Sequence, residues 1–195
     1  MPVETLSHLI YDVLPAAEDY EKAELRLSQE HDPDKPVSDW MVAARGAKRR
    51  AAQLAVSIDG LTDRFADEQN LTVKSIRRSI TNHCLWPGTE TPRLGAHERV
   101  RAVANAYKHY NLSNPNLLID HNDDVIAAGA GYGIDGYGVG KCGGVEILVN
   151  QKDGEVFKFL GDVPVAISAW FKFLGHQGVQ IPPGSYMVCG IEVHT

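Results

Sequence analysis

The chain has 195 residues, 44% apolar and 23% charged, a soluble composition long enough to bury a core and fold unaided as one large domain or two small ones. Its first residues, MPVETLSHLI, hold no basic segment, and nowhere do eighteen apolar residues run together, which argues against secretion and against a membrane span. The net charge of -6 is unevenly placed: residues 1–39 carry three Lys/Arg against ten Asp/Glu, residues 40–109 twelve against six, and residues 110–195 four against nine, so the basic middle either binds a polyanion or pairs with its own acidic ends.

Along the chain, Leu6, Leu9, Ile10 and Val13 make one helical face, and Pro15 either kinks that helix or opens a second one reaching to about Glu30. After the loop HDPDKPVSD, Ser38 or Asp39 is expected to cap a helix whose apolar residues Trp40, Ala44, Ala47, Ala51, Leu54, Ile58, Leu61 and Phe65 fall at steps of four and three. Its small residues Ala44, Ala47 and Ala51 admit a close helical neighbour, while Arg45, Lys48, Arg49 and Arg50 look outward. Thr72 is expected to cap a helix through about Leu85, which WPGTETPR ends. A further helix covers roughly His97 to Tyr110, with Val100, Val103, Ala104 and Tyr107 inward.

Beyond Pro115 the apolar period changes from about 3.6 residues to about 2. Val125 to Ala130 predicts a strand, Val145, Ile147 and Val149 alternate against Glu146 and Asn150 in a second, and Phe157 and Phe159 flank Lys158 in a third after the turn at 152–154. Asp162 is expected to cap a helix with Ile167, Trp170, Phe171 and Leu174 inward and Gly175 at its C-terminal cap. A last strand places Met187, Cys189, Ile191 and Val193 on one face. The sum is an α+β protein, a helical bundle over residues 1–115 and a small antiparallel sheet with one packed helix over 116–195, with a core that is either shared or separate.

Eight of the eighteen glycines crowd into Gly129 to Gly144, GAGYGIDGYGVGKCGG, a run too glycine-rich for a helix. It matches G-x-G-x-x-G at Gly131, Gly133 and Gly136, but a dinucleotide site needs a helix opening at the loop, and here a strand follows. A wide hairpin or bulged connection is the simpler reading, and a ligand loop using Asp135 and Lys141 as polar groups is the alternative.

The segment FADEQNLTVKSIRRSI, Phe65 to Ile80, resembles a helix-turn-helix, with Ala66 at the packing position of the first helix, Asn70 at the left-handed turn and Ile76 inside the second. That resemblance implies Lys74, Arg77 and Arg78 projecting toward a groove and its phosphates. Arg78 and His83 also have the spacing used by HEPN-type ribonucleases, helical bundles that resemble the first half. In that alternative His83 assists deprotonation of a ribose 2'-hydroxyl and Arg78 steadies the phosphorane charge. The helix RAVANAYKH, residues 101–109, together with the glycine-tyrosine run and the later W-F-K-F-L helix, looks like a loose group of uncharacterised bacterial proteins, a likeness that brings no activity with it. Arg101, Asn105 and Lys108 or His109 give that helix one polar side, either for an anion or to complement the helix C-terminus.

Cys84, Cys142 and Cys189 are odd in number and far apart, which predicts reduced thiols and a cytoplasmic address. No spacing of His and Cys preassembles a metal site, and no cofactor is expected. The leading expectation is a non-catalytic protein that binds nucleic acid or another polyanion through Lys74, Arg77 and Arg78, helped by Arg99, Arg101 and Lys108. The metal-independent ribonuclease and the ligand- or partner-binding glycine loop stand as alternatives, and a homo-oligomer is left open.

Overall fold

Pro15 shapes the N-terminal helix. In the computed structural model, which describes residues 3–32, 34, 36–109, 112, 117–129, 134, 135, 139 and 144–195, α1 (Val3–His8) runs into a π-turn (Leu9–Val13) and on into α2 (Leu14–Glu30). The Leu14 N–H reaches back to the Leu9 carbonyl. Proline lacks an N–H and its ring crowds the preceding turn, and the wider π-turn accommodates both.

The spine is α3 (Val37–Gln69), whose Ala47, Ala51, Leu54, Ile58, Leu61 and Phe65 are buried as the spacing predicts. Trp40 and Ala44 are half-buried. α2 packs along α3, where Ala23, Ala43 and Ala47 allow a close approach. Neither Ser38 nor Asp39 caps α3, because the helix begins just after Pro36 and both residues already lie in its first turn. It ends at Asn70, which takes the left-handed conformation (φ 52°, ψ 43°). Thr72 then caps α4 (Val73–Thr81), its side chain accepting from the Ser75 N–H at 3.3 Å. α4 stops short of Leu85, which forms a β-bridge with Pro92 instead.

α5 (Ala96–Lys108) buries Val100, Val103 and Ala104, and also Ala106 and Arg99. Tyr107 is 57% exposed rather than inward, since Ala106 takes the inner position at that end of the helix. The three-stranded sheet has the order β1 (Val125–Gly129), β2 (Val145–Asn150), β3 (Val156–Lys158), all antiparallel, with Val125 opposite Val149 and Val149 opposite Phe157. Both faces of β2 are covered, so Glu146 is buried on the face expected to meet solvent, with Lys158 Nζ 3.6 Å away.

α6 (Phe159–His176) starts earlier than Asp162, so Phe159 belongs to the helix and not to β3. Gly161 in its first turn is required by close approach: a Cβ there would collide with Val139 Cγ1. The helix runs past Gly175, and Gly178 is the residue with positive φ beyond its end. The expected last strand is a hairpin, β4 (Ser185–Val188) and β5 (Ile191–His194), turning at Cys189 (φ 51°) and Gly190 (φ 76°). A two-residue turn reverses the parity of the alternation: Val188 pairs with Ile191 and Tyr186 with Val193, so Val188 and Val193 are buried, while Met187, expected on the face of Ile191 and Val193, pairs with Glu192 and is exposed.

The result is an α+β fold in which buried side chains of the helices, the sheet and the hairpin form one contiguous cluster. Among the described residues no helix is long and apolar enough to cross a membrane.

Candidate anion-binding site

Two of the cations singled out in the sequence pair with one carboxylate, and a third lies close enough to feel its charge. Asp59 follows Ile58 on α3, at the edge of the buried stripe, and is 4% exposed. Its Oδ1 accepts from Arg77 Nη2 on α4 at 3.1 Å, and its Oδ2 accepts from Lys108 Nζ at the end of α5 at 3.0 Å. Arg101 lies two turns before Lys108 on the same side of α5. Burial, and then the neighbouring Arg77 guanidinium, hold its pKa below the usual arginine value, while Asp59 and Glu98 act to raise it.

The cluster sets three cations, Arg77, Arg101 and Lys108, against two carboxylates, Asp59 and Glu98. Arg101 makes no ion pair among the described residues, and the Nε of Arg77 and of Arg101 are buried without a hydrogen-bond partner. Glu98 Oε1 accepts from Thr81 Oγ1 at 2.6 Å, while its Oε2, like Thr62 Oγ1 one turn beyond Asp59, is buried without a partner. Burial pushes the pKa of His97 down. Glu98 and Asp59 oppose that shift, and Arg77 and Arg101 add to it. Guanidinium groups with free donors beside an ammonium are suited to the oxygens of a phosphate or a carboxylate.

Lys74 and Arg78 stand on the outer side of α4, exposed and without an ion pair among the described residues. The chain there runs helix, left-handed Asn70, helix, with Ala66 and Ile76 buried.

Farther along α3, the outward residues Arg45, Lys48 and Arg49 line a groove of about 450 Å³ against the end of α5. Lys48 Nζ donates to the Asn122 carbonyl at 3.3 Å, whereas Arg45 and Arg49 make no ion pair among the described residues. The α2 side of the same ridge differs, because the acidic N-terminal block neutralises it. There Glu18 holds Lys22 at 2.6 Å, Glu30 holds Arg26, and Asp19 reaches Arg50 at 3.5 Å. Asp59, and the groove that Arg45 and Arg49 share with Tyr107, had no signal in the sequence beyond one acidic residue interrupting an apolar stripe and a row of outward cations.

Arg99, expected among the helper cations, is 1% exposed and fully engaged. Its Nε and Nη2 donate to Asp162 at 2.8 Å each, and Nη1 donates to the Leu94 carbonyl at 3.0 Å. Asp162 therefore holds arginines rather than capping α6. Arg93 donates from Nε to the same Asp162 and from Nη1 to Asp135 at 2.9 Å, while Asp135 also accepts the Lys158 N–H at 2.8 Å. Burial acts to lower the Arg93 pKa, but the bond to Asp135 and the charges of Asp162 and Asp135 outweigh it and the net shift is upward. Arg99 lies 3.7 Å over the Phe157 ring, and Arg93 lies 5.0 Å over Trp86. Asp135, assigned to a ligand loop in the sequence reading, is thus engaged within the fold, and Gly131, Gly133, Gly136 and Lys141 lie outside the described residues.

His83 is half-buried with its ring 4.7 Å from that of His176. Burial lowers its pKa, and His176 and Lys172 lower it further. Burial drives the Cys84 thiol up to about 12 and the Cys189 thiol up as well, so neither is a reactive thiolate at neutral pH. Among the described residues no group of three or more His, Cys, Asp or Glu is placed to hold a metal ion. Comparisons with protein-family models, with curated proteins and with solved structures find no match to this chain.

Proposed function

We infer that the protein binds nucleic acid or a comparable polyanion, without catalysis, through cations of α3, α4 and α5. The observation that supports this best is the charge surplus: one buried carboxylate, Asp59, serves both Arg77 and Lys108, while Arg101, Lys74, Arg78, Arg45 and Arg49 make no ion pair among the described residues. Such a surface gains affinity by releasing counterions from phosphates, so binding falls steeply with salt. Fluorescence polarisation with labelled DNA and RNA across a salt series tests it. Arg45→Glu with Arg49→Glu should weaken binding about tenfold or more and flatten the salt slope by about one unit per lost contact. Undetectable binding of every polyanion at low salt would reject this reading.

A second reading, metal-independent ribonuclease activity centred on Arg78 and His83, is favoured by one observation. The His83 ring lies half-buried 4.7 Å from that of His176, a pair of imidazoles of which one can accept a proton and the other donate one. It predicts RNA cleavage that persists in chelator and is lost in His83→Ala. Unchanged cleavage by that variant would reject it.

A further inference from the structure

We propose that the polyanion is single-stranded and that Tyr107 stacks on one of its bases, an inference that rests on the polyanion reading above. The groove between α3 and α5 combines two chemistries. Arg45, Lys48 and Arg49 line it with positive charge, and the buried side chains of Ala52, Val103 and Val125 form its apolar floor, leaving Tyr107 as its exposed ring. Tyr107 lines the same groove and is 57% exposed.

A duplex presents phosphates and base edges but keeps its base faces stacked. A single strand offers both a phosphate and a free base face to such a surface. The volume, about 450 Å³, lies within the range of small-ligand clefts, roughly 300–1,000 Å³, and so admits a base with its sugar.

The tyrosine is held in place for this role. The Asn122 side-chain amide lies 2.8 Å from the Ala106 carbonyl and 3.2 Å from the His109 carbonyl, two acceptors that assign its nitrogen to that side, where it ties the backbone on both sides of Tyr107. The next residue, Lys108, is anchored on Asp59. A platform of fixed backbone loses little freedom when a base settles on it. Valine and alanine side chains offer no hydrogen bonds to base edges, so sequence preference should be weak.

The test compares the full-length protein with labelled oligothymidylate, labelled oligouridylate, a mixed-sequence duplex of equal length and heparin, using polarisation at low and moderate salt. The single strands should bind about tenfold or more tighter than the duplex. Tyr107→Ala should weaken single-strand binding about five- to hundredfold, Tyr107→Phe should retain it, and heparin binding should be the same for all three proteins. Because the side chain is exposed, the thermal midpoint of each variant should match the parent, and circular dichroism verifies this. Equal binding of duplex and single strand, or a Tyr107→Ala variant that binds single strands normally, overturns this inference and leaves the polyanion reading intact. Failure of all four probes to bind overturns both.

Discussion

Two clusters of arginine and aspartate share α5, and they differ in balance. Around Asp162, two arginines meet two carboxylates, Asp162 and Asp135, and all four side chains are at most 6% exposed. Around Asp59, Arg77 and Lys108 share one carboxylate, with Arg101 and Glu98 close by, so that three cations face two carboxylates, and the Arg77 and Lys108 side chains remain 26% and 34% exposed. A charge-balanced, water-excluded network holds elements together, here the loop before α5, the start of α6 and Asp135. A partly open cluster with surplus positive charge retains attraction for an anion from outside. Identical residue types serve structure in one place and are available for recognition in the other, and exposure together with charge count separates the two.

The largest expected effect breaks the balanced cluster. Asp162→Ala leaves Arg93 and Arg99 buried without their shared partner and should cost about 3–5 kcal/mol of stability. Urea unfolding measures it, and a loss under about 1 kcal/mol would mean that water replaces the carboxylate. The corresponding change in the open cluster, Asp59→Asn, should cost less, about 1–3 kcal/mol, because Arg77 and Lys108 can turn to water. The same variant should bind oligonucleotides more tightly than the parent, since it releases two cations. If its affinity falls, Asp59 is orienting those cations rather than restraining them.

The smallest effect sharpens the comparison through pH. Burial holds the His97 pKa below its unfolded value of about 6.5, so the unfolded chain binds more protons just below that pH. Stability present above about pH 6.5 is therefore lost as the pH falls from there toward the folded-state value. His97→Gln should flatten the fall in thermal midpoint between about pH 7 and pH 5, leaving the share due to His83, whose pKa is also lowered. An unchanged slope would mean that the acid sensitivity lies elsewhere.

Helices were the most legible part of the sequence. The apolar steps from Ala47 to Phe65, the Thr72 cap and the left-handed Asn70 are local chemistry, set by residues within a turn or two of one another. The misplaced boundaries share a cause. Asp162 has the chemistry of a cap, but two arginines more than sixty residues earlier in the chain bond its carboxylate. Cys189 has the spacing of a strand residue, but Gly190 after it lets the chain reverse. Of the site cations, Lys74 and Arg78 lie outward as the helix period predicts, whereas Arg99 lies inward, because its partner comes from a distant segment.

The sequence by itself determined the α+β class, the run of helices before the strands, and the positive surplus of the middle third, because periodicity, caps and composition act over short distances. Tertiary structure alone decided which cations are neutralised. An ion pair depends on where two remote side chains are brought together and how much water remains between them, and neither quantity is written in the spacing of residues along the chain.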